Sequence, residues 1–341
     1  MFKHLRHTAL SACLGTAALL SATAAQAEFD IMTTKPKVAA QDSTAKTQYP
    51  IVLIHGAFGP TNIGGIIEEL GYTYNGYWYK LPDALARHGA EVYVASVSLS
   101  GMKRAEESLA QVQRVLDATG AKKVNLITHS QGAVDGRYIA TLLPDRIASV
   151  TTIAGPHRGV PVAEIPVNDI PALSPLVQFV TNFAGDIIAA LNGTFLKSES
   201  GEWISLLTRQ GMADFNSKFP TAGLGSSNCA SGQATEIRAG NVQRLYSWTG
   251  RRHGVLENLS VAPFVPSLDP LDWLSALASA LNEVKGSWNT DGVVEVCSAK
   301  FGKELGLYYW NHWDELNRSD SIPLGAPDPG NVLYQHGIRL K

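Results

Sequence analysis

Short apolar runs alternating with longer amphipathic stretches dominate the chain from Tyr49 to Ala154. Tyr49–Gly56, Ala90–Ser96, Val124–Thr128 and Ile147–Ala154 are runs of five to eight residues rich in Val and Ile, the signature of buried strands. Between them, Gly76–His88 places Trp78, Leu81 and Leu85 at helical spacing, and Lys103–Thr119 puts Leu109, Val112, Val115 and Leu116 on one face. Gln131–Leu143 predicts a third helix, directly behind the third strand. Strands alternating with helices of this length predict an α/β fold: a mostly parallel sheet with helices on both faces. Ligands and reactive groups in such sheets collect at the C-terminal strand ends.

The pattern changes after Gly155-Pro-His-Arg-Gly159. Residues 160–200 are apolar, proline-broken and weakly periodic, with helix-like pieces at 174–185 and 186–191. They sit where an inserted helical lid would cover the strand ends, although core helices would have the same composition. Further on, Arg244–Thr249 predicts a late strand and Asp269–Leu281 a helix. Asn289–Cys297 predicts a turn into a strand, and His336 falls in a polar tail.

The two ends of the chain differ from this body. Lys3 and Arg6 precede an apolar run from Thr8 to about Ala25, with Ala25-Gln26-Ala27 as a small-x-small cleavage site. Residues 1–27 therefore predict a secretory signal peptide. Leu10–Cys13 also resembles a lipoprotein box, but the long apolar run lies after Cys13 rather than before it. Residues 28–48 are polar and aperiodic, predicting a flexible lead-in to a catalytic domain over 49–341. Loss of the signal peptide leaves Cys229 and Cys297, which in an oxidising compartment read either as one disulfide closing a long loop or as two buried thiols. At 341 residues, 45% hydrophobic and with a net charge of -2, the chain has no basic stripe for nucleic acid and no Cys/His cluster for a metal. A soluble, exported protein follows.

The candidate chemistry centres on Ser130, two residues beyond a strand and at the start of a helix. Thr128-His-Ser-Gln-Gly132 departs from G-x-S-x-G at its first position, and a serine there could equally be a helix N-cap. A nucleophilic serine needs a histidine to take its proton and an acid to hold that histidine's tautomer. Of the late histidines, His157 precedes every late acid and His253 sits in the basic cluster Arg251-Arg-His-Gly254. His312, in an aromatic stretch beside acidic residues, is the better partner. Asp291, 21 residues earlier in Asn-Thr-Asp-Gly, completes the order Ser, Asp, His, although Asp-Gly alone is commonly just a turn. The amides of Gln131, at a helix N-terminus, and of Ala57, after His55-Gly56, are the candidate oxyanion donors.

Together these segments resemble the secreted bacterial true lipases of the Pseudomonas and Burkholderia type, the family I.1/I.2 triacylglycerol lipases. The resemblance runs from about Tyr49 to Lys341. It is carried by Ile54-His-Gly56, Thr128–Gly132, Thr152–Gly159, Ala222–Gly225 before Cys229, Leu245–Trp248, Asp291–Val294 before Cys297-Ser298, and Asn311–Asn317. It implies an α/β-hydrolase fold, Ser130, Asp291 and His312 as the triad, and a Cys229–Cys297 disulfide. It also implies one structural Ca²⁺ beside the histidine loop, held by the carboxylates of Asp269 and Asp314 and the carbonyls of Arg318 and Ile322. A lipase-specific foldase chaperone and the type II secretion machinery are the implied partners, with lipid at an oil–water interface as substrate. An esterase or polyester depolymerase with the same triad is the alternative, and a non-catalytic lipid-binding protein a remote one. Thr128 and Ala133 stand where the family has glycines, and Arg318 where it has glutamine.

Overall fold

The computed structural model describes residues 33–56, 77–97, 101–164, 200–252, 279, 282–283, 286–317 and 325–341. Among them one mixed sheet contains eight strands. These are β1 (Thr33–Thr34), β2 (Ile51–Ile54), β3 (Val92–Ala95), β4 (Val124–His129), β5 (Ile147–Ile153), β6 (Thr235–Arg238), β7 (Asn241–Gly250) and β8 (Lys303–Tyr308). They lie in the order β1-β3-β2-β4-β5-β7-β6, with β8 also paired to β7. The run β3-β2-β4-β5-β7-β8 is parallel. β1 and β6 are antiparallel.

The apolar runs are buried because both faces of this sheet are covered, as parallel sheets require. Period-2 alternation divides their side chains between two cores. Ile51 and Leu53 join Trp248 on one face, under helices α1 (Leu81–Ala86) and α7 (Pro329–Arg339), which contribute Leu81, Leu85 and Leu333. Val52 and Ile54 join Leu126 and Leu245 on the other, under α2 (Gly101–Thr119) and α3 (Gly132–Leu142), which contribute Val112, Val115, Leu116 and Ile139. A third cluster packs α4 (Ser200–Leu207) and α5 (Arg209–Lys218) through Leu207, Met212 and Phe215 against Val134 and Val294.

Three expectations are corrected. The lead-in is pinned from residue 33 onward: β1 pairs with β3. In addition, the amides of Gln41 and Ala45 donate to the carbonyls of Arg87 and His88 at the end of α1 (2.7 and 2.8 Å). A polar sequence carries no sign of such main-chain pairing. Asn289–Cys297 does not enter a strand: a tight loop closes on the Thr290–Glu295 bridge and leads into the short helix α6 (Val296–Ala299). The polar tail is α7, capped by the Asp328 side chain on the Asn331 amide, and His336 within it is wholly buried.

Cys229 and Cys297 form a disulfide with Cα atoms 4.4 Å apart, joining positions 68 residues apart in sequence. The proposed signal peptide lies outside the described residues, as does nearly all of 160–200, where Pro161–Glu164 forms a single 3₁₀ turn. Among the described residues no helix is long and apolar enough to cross a membrane.

Candidate active site

The C-terminal ends of β2, β4, β5, β7 and β8 meet along one edge, and the predicted reactive residues gather there. Ser130 follows β4 with φ of +55°, the left-handed conformation that a non-glycine residue seldom adopts. Its amide donates to the carbonyl of Ile153 at the end of β5 (2.9 Å), so the bend is held from the neighbouring strand. The neighbours are shaped for this bend. A Cβ on Gly132 would lie 2.5 Å from the carbonyl oxygen of Ile54 and 2.7 Å from that of His55. A Cβ on Gly56 would come within 2.7 Å of the Ser130 Cβ. Glycine at both positions lets the end of β2 and the start of α3 close on the serine.

Two departures from the glycine pattern are matched by glycines elsewhere. A Cβ on Gly136 would stand 2.8 Å from the Cγ2 methyl of Thr128, and one on Gly155 would stand 2.8 Å from the Ala133 Cβ. Thr128 also donates its hydroxyl to the Thr151 carbonyl (2.9 Å), which satisfies its buried polar atom. The bulk at 128 is accommodated by Gly136 on α3, and that at 133 by Gly155 just after β5.

The tight loop before α6 carries Asp291 and the loop after β8 carries His312. His312 Nδ1 and Asp291 Oδ2 are 2.7 Å apart, both side chains nearly or wholly buried. The His312 amide donates to the Asp291 carbonyl (2.9 Å), fixing the two loops to each other as well. Asp291 Oδ1 accepts from the amides of Val293 and Val294 (2.8 Å each), which curls the chain and leaves Oδ2 for the imidazole. Arg251 and Arg252, just beyond β7, donate their amides to Tyr308 and Thr290 (2.7 and 2.9 Å) and so clamp both loops to the sheet edge.

A second buried cluster adjoins this pair. His129, the residue before the serine, packs its ring 4.5 Å from that of His312. Its Nδ1 lies 2.6 Å from the Tyr77 hydroxyl and its Nε2 3.0 Å from Glu315 Oε2. Burial, reinforced by His312, holds the His129 imidazole well below its ordinary pKa. Glu315 also accepts the Gly250 amide, and burial followed by the nearby Asp291 pushes its carboxyl well above the usual range. None of these three residues was singled out from sequence. An x position between two motif letters, an aromatic and one of several adjacent acids carry no distinguishing signal.

Residues 49–228 match the alpha/beta hydrolase fold family. A triacylglycerol lipase of Burkholderia plantarii is 35% identical over 340 residues, covering 91% of this chain and 90% of the relative. One from Vibrio cholerae serotype O1 is 36% identical over 88% of this chain and 90% of its own length. The chain belongs to the triacylglycerol lipases of the α/β-hydrolase fold. A lipase of Pseudomonas fragi agrees at 30% identity, again over 88% of this chain. Among solved structures, the mature Bacillus licheniformis lipase BlEst2 shares the fold with a TM-score of 0.53 at 14% identity, covering 86% of this chain and 96% of its own. The lipase fold thus puts a serine at a strained strand-to-helix turn and a histidine–aspartate pair at one sheet edge. That arrangement suits acyl transfer through a covalent ester.

Of the remaining predicted site residues, Gln131 is buried at the N-terminus of α3, and Asp314 is buried two residues beyond His312. Ala57, Asp269, Arg318 and Ile322 lie outside the described residues.

Proposed function

We propose that this lipase hydrolyses the ester bonds of long-chain triacylglycerols through an acyl-enzyme on Ser130. The observation that carries the assignment is the buried 2.7 Å contact of His312 with Asp291, at the same sheet edge as a serine strained to positive φ. His312 takes the Ser130 proton as Oγ attacks the ester carbonyl, and then gives it to the departing glycerol oxygen. Asp291 holds the imidazole with its proton on Nδ1 and stabilises the imidazolium that forms. Water, activated by the same histidine, then releases the fatty acid and regenerates the serine. The amides of Gln131 and Ala57 receive the negative charge that develops on the carbonyl oxygen.

Asp314 fits a hard cation. Its carboxylate is buried, with Oδ2 accepting the Asn311 amide at 2.7 Å. Burial, then the charge of Asp291 and, less strongly, that of Asp314, raise the carboxyl of adjacent Glu315. A cation in such acidic surroundings would be held by oxygen ligands, as Ca²⁺ prefers. In our reading Asp269 and Asp314, with the carbonyls of Arg318 and Ile322, hold one Ca²⁺. When bound it supplies no chemistry to the ester but secures the loop that carries His312. Export through the periplasm, with a foldase chaperone and type II secretion, and a lid over 160–200 complete the assignment by resemblance.

Hydrolysis of emulsified long-chain triglyceride, compared with short soluble esters and with Ser130→Ala as control, tests this reading. Higher turnover on the emulsion is expected. A clear preference for short soluble esters would replace the lipase assignment by an esterase or polyester depolymerase. Full activity in Ser130→Ala would remove the proposed mechanism.

A further inference from the structure

We infer that the guanidinium of Arg137, enclosed by α3, α5 and the loop after β5, holds a single monovalent anion of the halide type. The inference is independent of the ester chemistry and uses none of its residues.

Arg137 lies on α3, about two turns beyond Ser130, with its side chain buried. Its Nη2 donates to the Phe219 carbonyl at the end of α5 (3.0 Å), and its guanidinium carbon stands 5.0 Å from the centre of the Phe215 ring. Nε and Nη1 are also buried, and neither meets a hydrogen-bond partner among the described residues.

The charge of this group has no counterpart either. Burial brings the Arg137 pKa down to about 9, still above neutral pH, so the guanidinium stays protonated. The carboxylate whose field reaches it is Glu236 on β6, but Glu236 is engaged elsewhere. Its Oε1 accepts Nε of Arg238 (2.9 Å). Its Oε2 accepts Nη2 of Arg238 (3.2 Å), the Thr221 hydroxyl (3.0 Å) and the Ala222 amide (3.0 Å). A buried cation with unpaired donors is costly both as a charge and as a polar group.

The neighbouring residues deepen this imbalance. Arg158, in the loop after β5, donates Nη2 to the Gly225 carbonyl (2.8 Å), while its Nε is buried without a partner. Burial, then the charges of Arg137 and Arg158, hold the adjacent His157 ring neutral, well below its ordinary pKa. That ring places Nε2 3.1 Å from the Thr152 hydroxyl and leaves Nδ1 unpartnered. The side-chain oxygen of Asn216 is unpartnered too and, as an acceptor, suits water rather than an anion.

Counting charges sets the valence of the ligand. Arg238 and Glu236 cancel, and half-buried Arg158 is screened by solvent. One buried positive charge remains, on Arg137. Water would satisfy its N–H groups but not its charge, whereas a small monovalent anion answers both. The apolar cluster containing Val134, Phe215 and Phe219 borders the position, which favours a weakly hydrated anion over a phosphate or sulfate.

The test follows the melting temperature of the protein, dialysed into sodium gluconate, as chloride replaces gluconate at constant ionic strength and constant Ca²⁺. An anion bound only to the folded chain should give a saturable rise, about 4 °C at 100 times its dissociation constant. Bromide should act like chloride, and Arg137→Met should abolish the response to both. Wild-type crystals soaked in bromide keep the inference testable if that variant does not fold: anomalous density should appear against Nε and Nη1 of Arg137. A melting temperature indifferent to halide, an equal response in folded Arg137→Met, or density at Arg137 without anomalous signal would overturn the site.

Discussion

His312 receives two fixed contacts from Asp291: its Nδ1 lies 2.7 Å from Oδ2, and its amide donates to the Asp291 carbonyl at 2.9 Å. Side chain and main chain of one residue therefore define both the tautomer and the place of the imidazole. The loop that supplies them is itself closed by Oδ1 on the amides of Val293 and Val294.

Asp291→Asn separates these functions. An amide oxygen can still accept from Val293 and Val294, which turns its NH₂ toward His312 and favours the wrong tautomer. A loss of about 10³–10⁴ in kcat is expected, with a far smaller effect on stability, because the loop bonds persist. Steady-state kinetics alongside thermal melting check this. A variant within tenfold of wild-type kcat would deny Asp291 its role.

Removal of the proposed Ca²⁺ should loosen the neighbouring loop, the one that carries His312. Prolonged EDTA treatment followed by gel filtration should lower the melting temperature, and added Ca²⁺ should restore it. Asp314→Asn should melt low already and respond little to EDTA. A melting temperature indifferent to chelator would count against the site.

The disulfide joins the chain ahead of β6 to α6, directly after the Asp291 loop. A cross-link over 68 residues stabilises by about 4 kcal/mol in the loop-entropy picture. Reduction, or Cys229→Ser with Cys297→Ser, should lower the urea midpoint accordingly and reduce activity at elevated temperature first. An unchanged midpoint would show that the bond contributes nothing to folding.

Much of this was legible in the sequence where a local pattern had one physical solution. The strands from Ile51 to Ile153 were readable because burial on both faces demands unbroken apolar runs, and Ser130, Asp291 and His312 could be picked as residues to gather at one sheet edge because their order and types would answer one chemical need. The buried Arg104 was not readable in this way. It falls on the buried face of α2 with Ser108 and Gln111, where polar residues look like a weakened amphipathic pattern. Only the fold shows that carbonyls and a carboxylate await them. His336 was misread for the same reason: polar neighbours in sequence conceal that its partners are Thr151 on β5 and the rings of Tyr246 and Trp248.

That burial of His336 gives the stability a pH dependence. Its Nε2 lies 2.8 Å from the Thr151 hydroxyl, and Arg339 donates to its Nδ1 (3.1 Å), an arrangement only the neutral ring accepts. Burial, with Arg339 and Arg244 adding to it, depresses the pKa from 6.5 to about 3. The unfolded chain therefore binds the proton first as pH falls. Stability present above 6.5 is lost progressively from there toward about 3. By about pH 4.5 the loss from this group should be roughly 3 kcal/mol. Urea unfolding at pH 7 and 4.5 should show a smaller difference in His336→Gln than in wild type, even though the variant is weaker at pH 7. Equal differences in the two proteins would assign the acid sensitivity elsewhere.

Thr128 and Gly136 should behave as a coupled pair. In an ordinary helix interior Gly→Ala stabilises by about 1 kcal/mol. At Gly136 the added methyl would meet the Thr128 Cγ2 at 2.8 Å, a contact that forces one of the two to shift. Gly136→Ala should therefore be neutral or destabilising in wild type. Thr128→Ser keeps the hydroxyl for the Thr151 carbonyl and removes only the obstructing methyl. In that background the same Gly136→Ala should be stabilising, with a coupling of about 1 kcal/mol or more across the double-mutant cycle. The elbow of the serine would then tolerate bulk at 128 only because the helix behind it yields the matching space. Additive effects would mean that the strand and helix adjust independently.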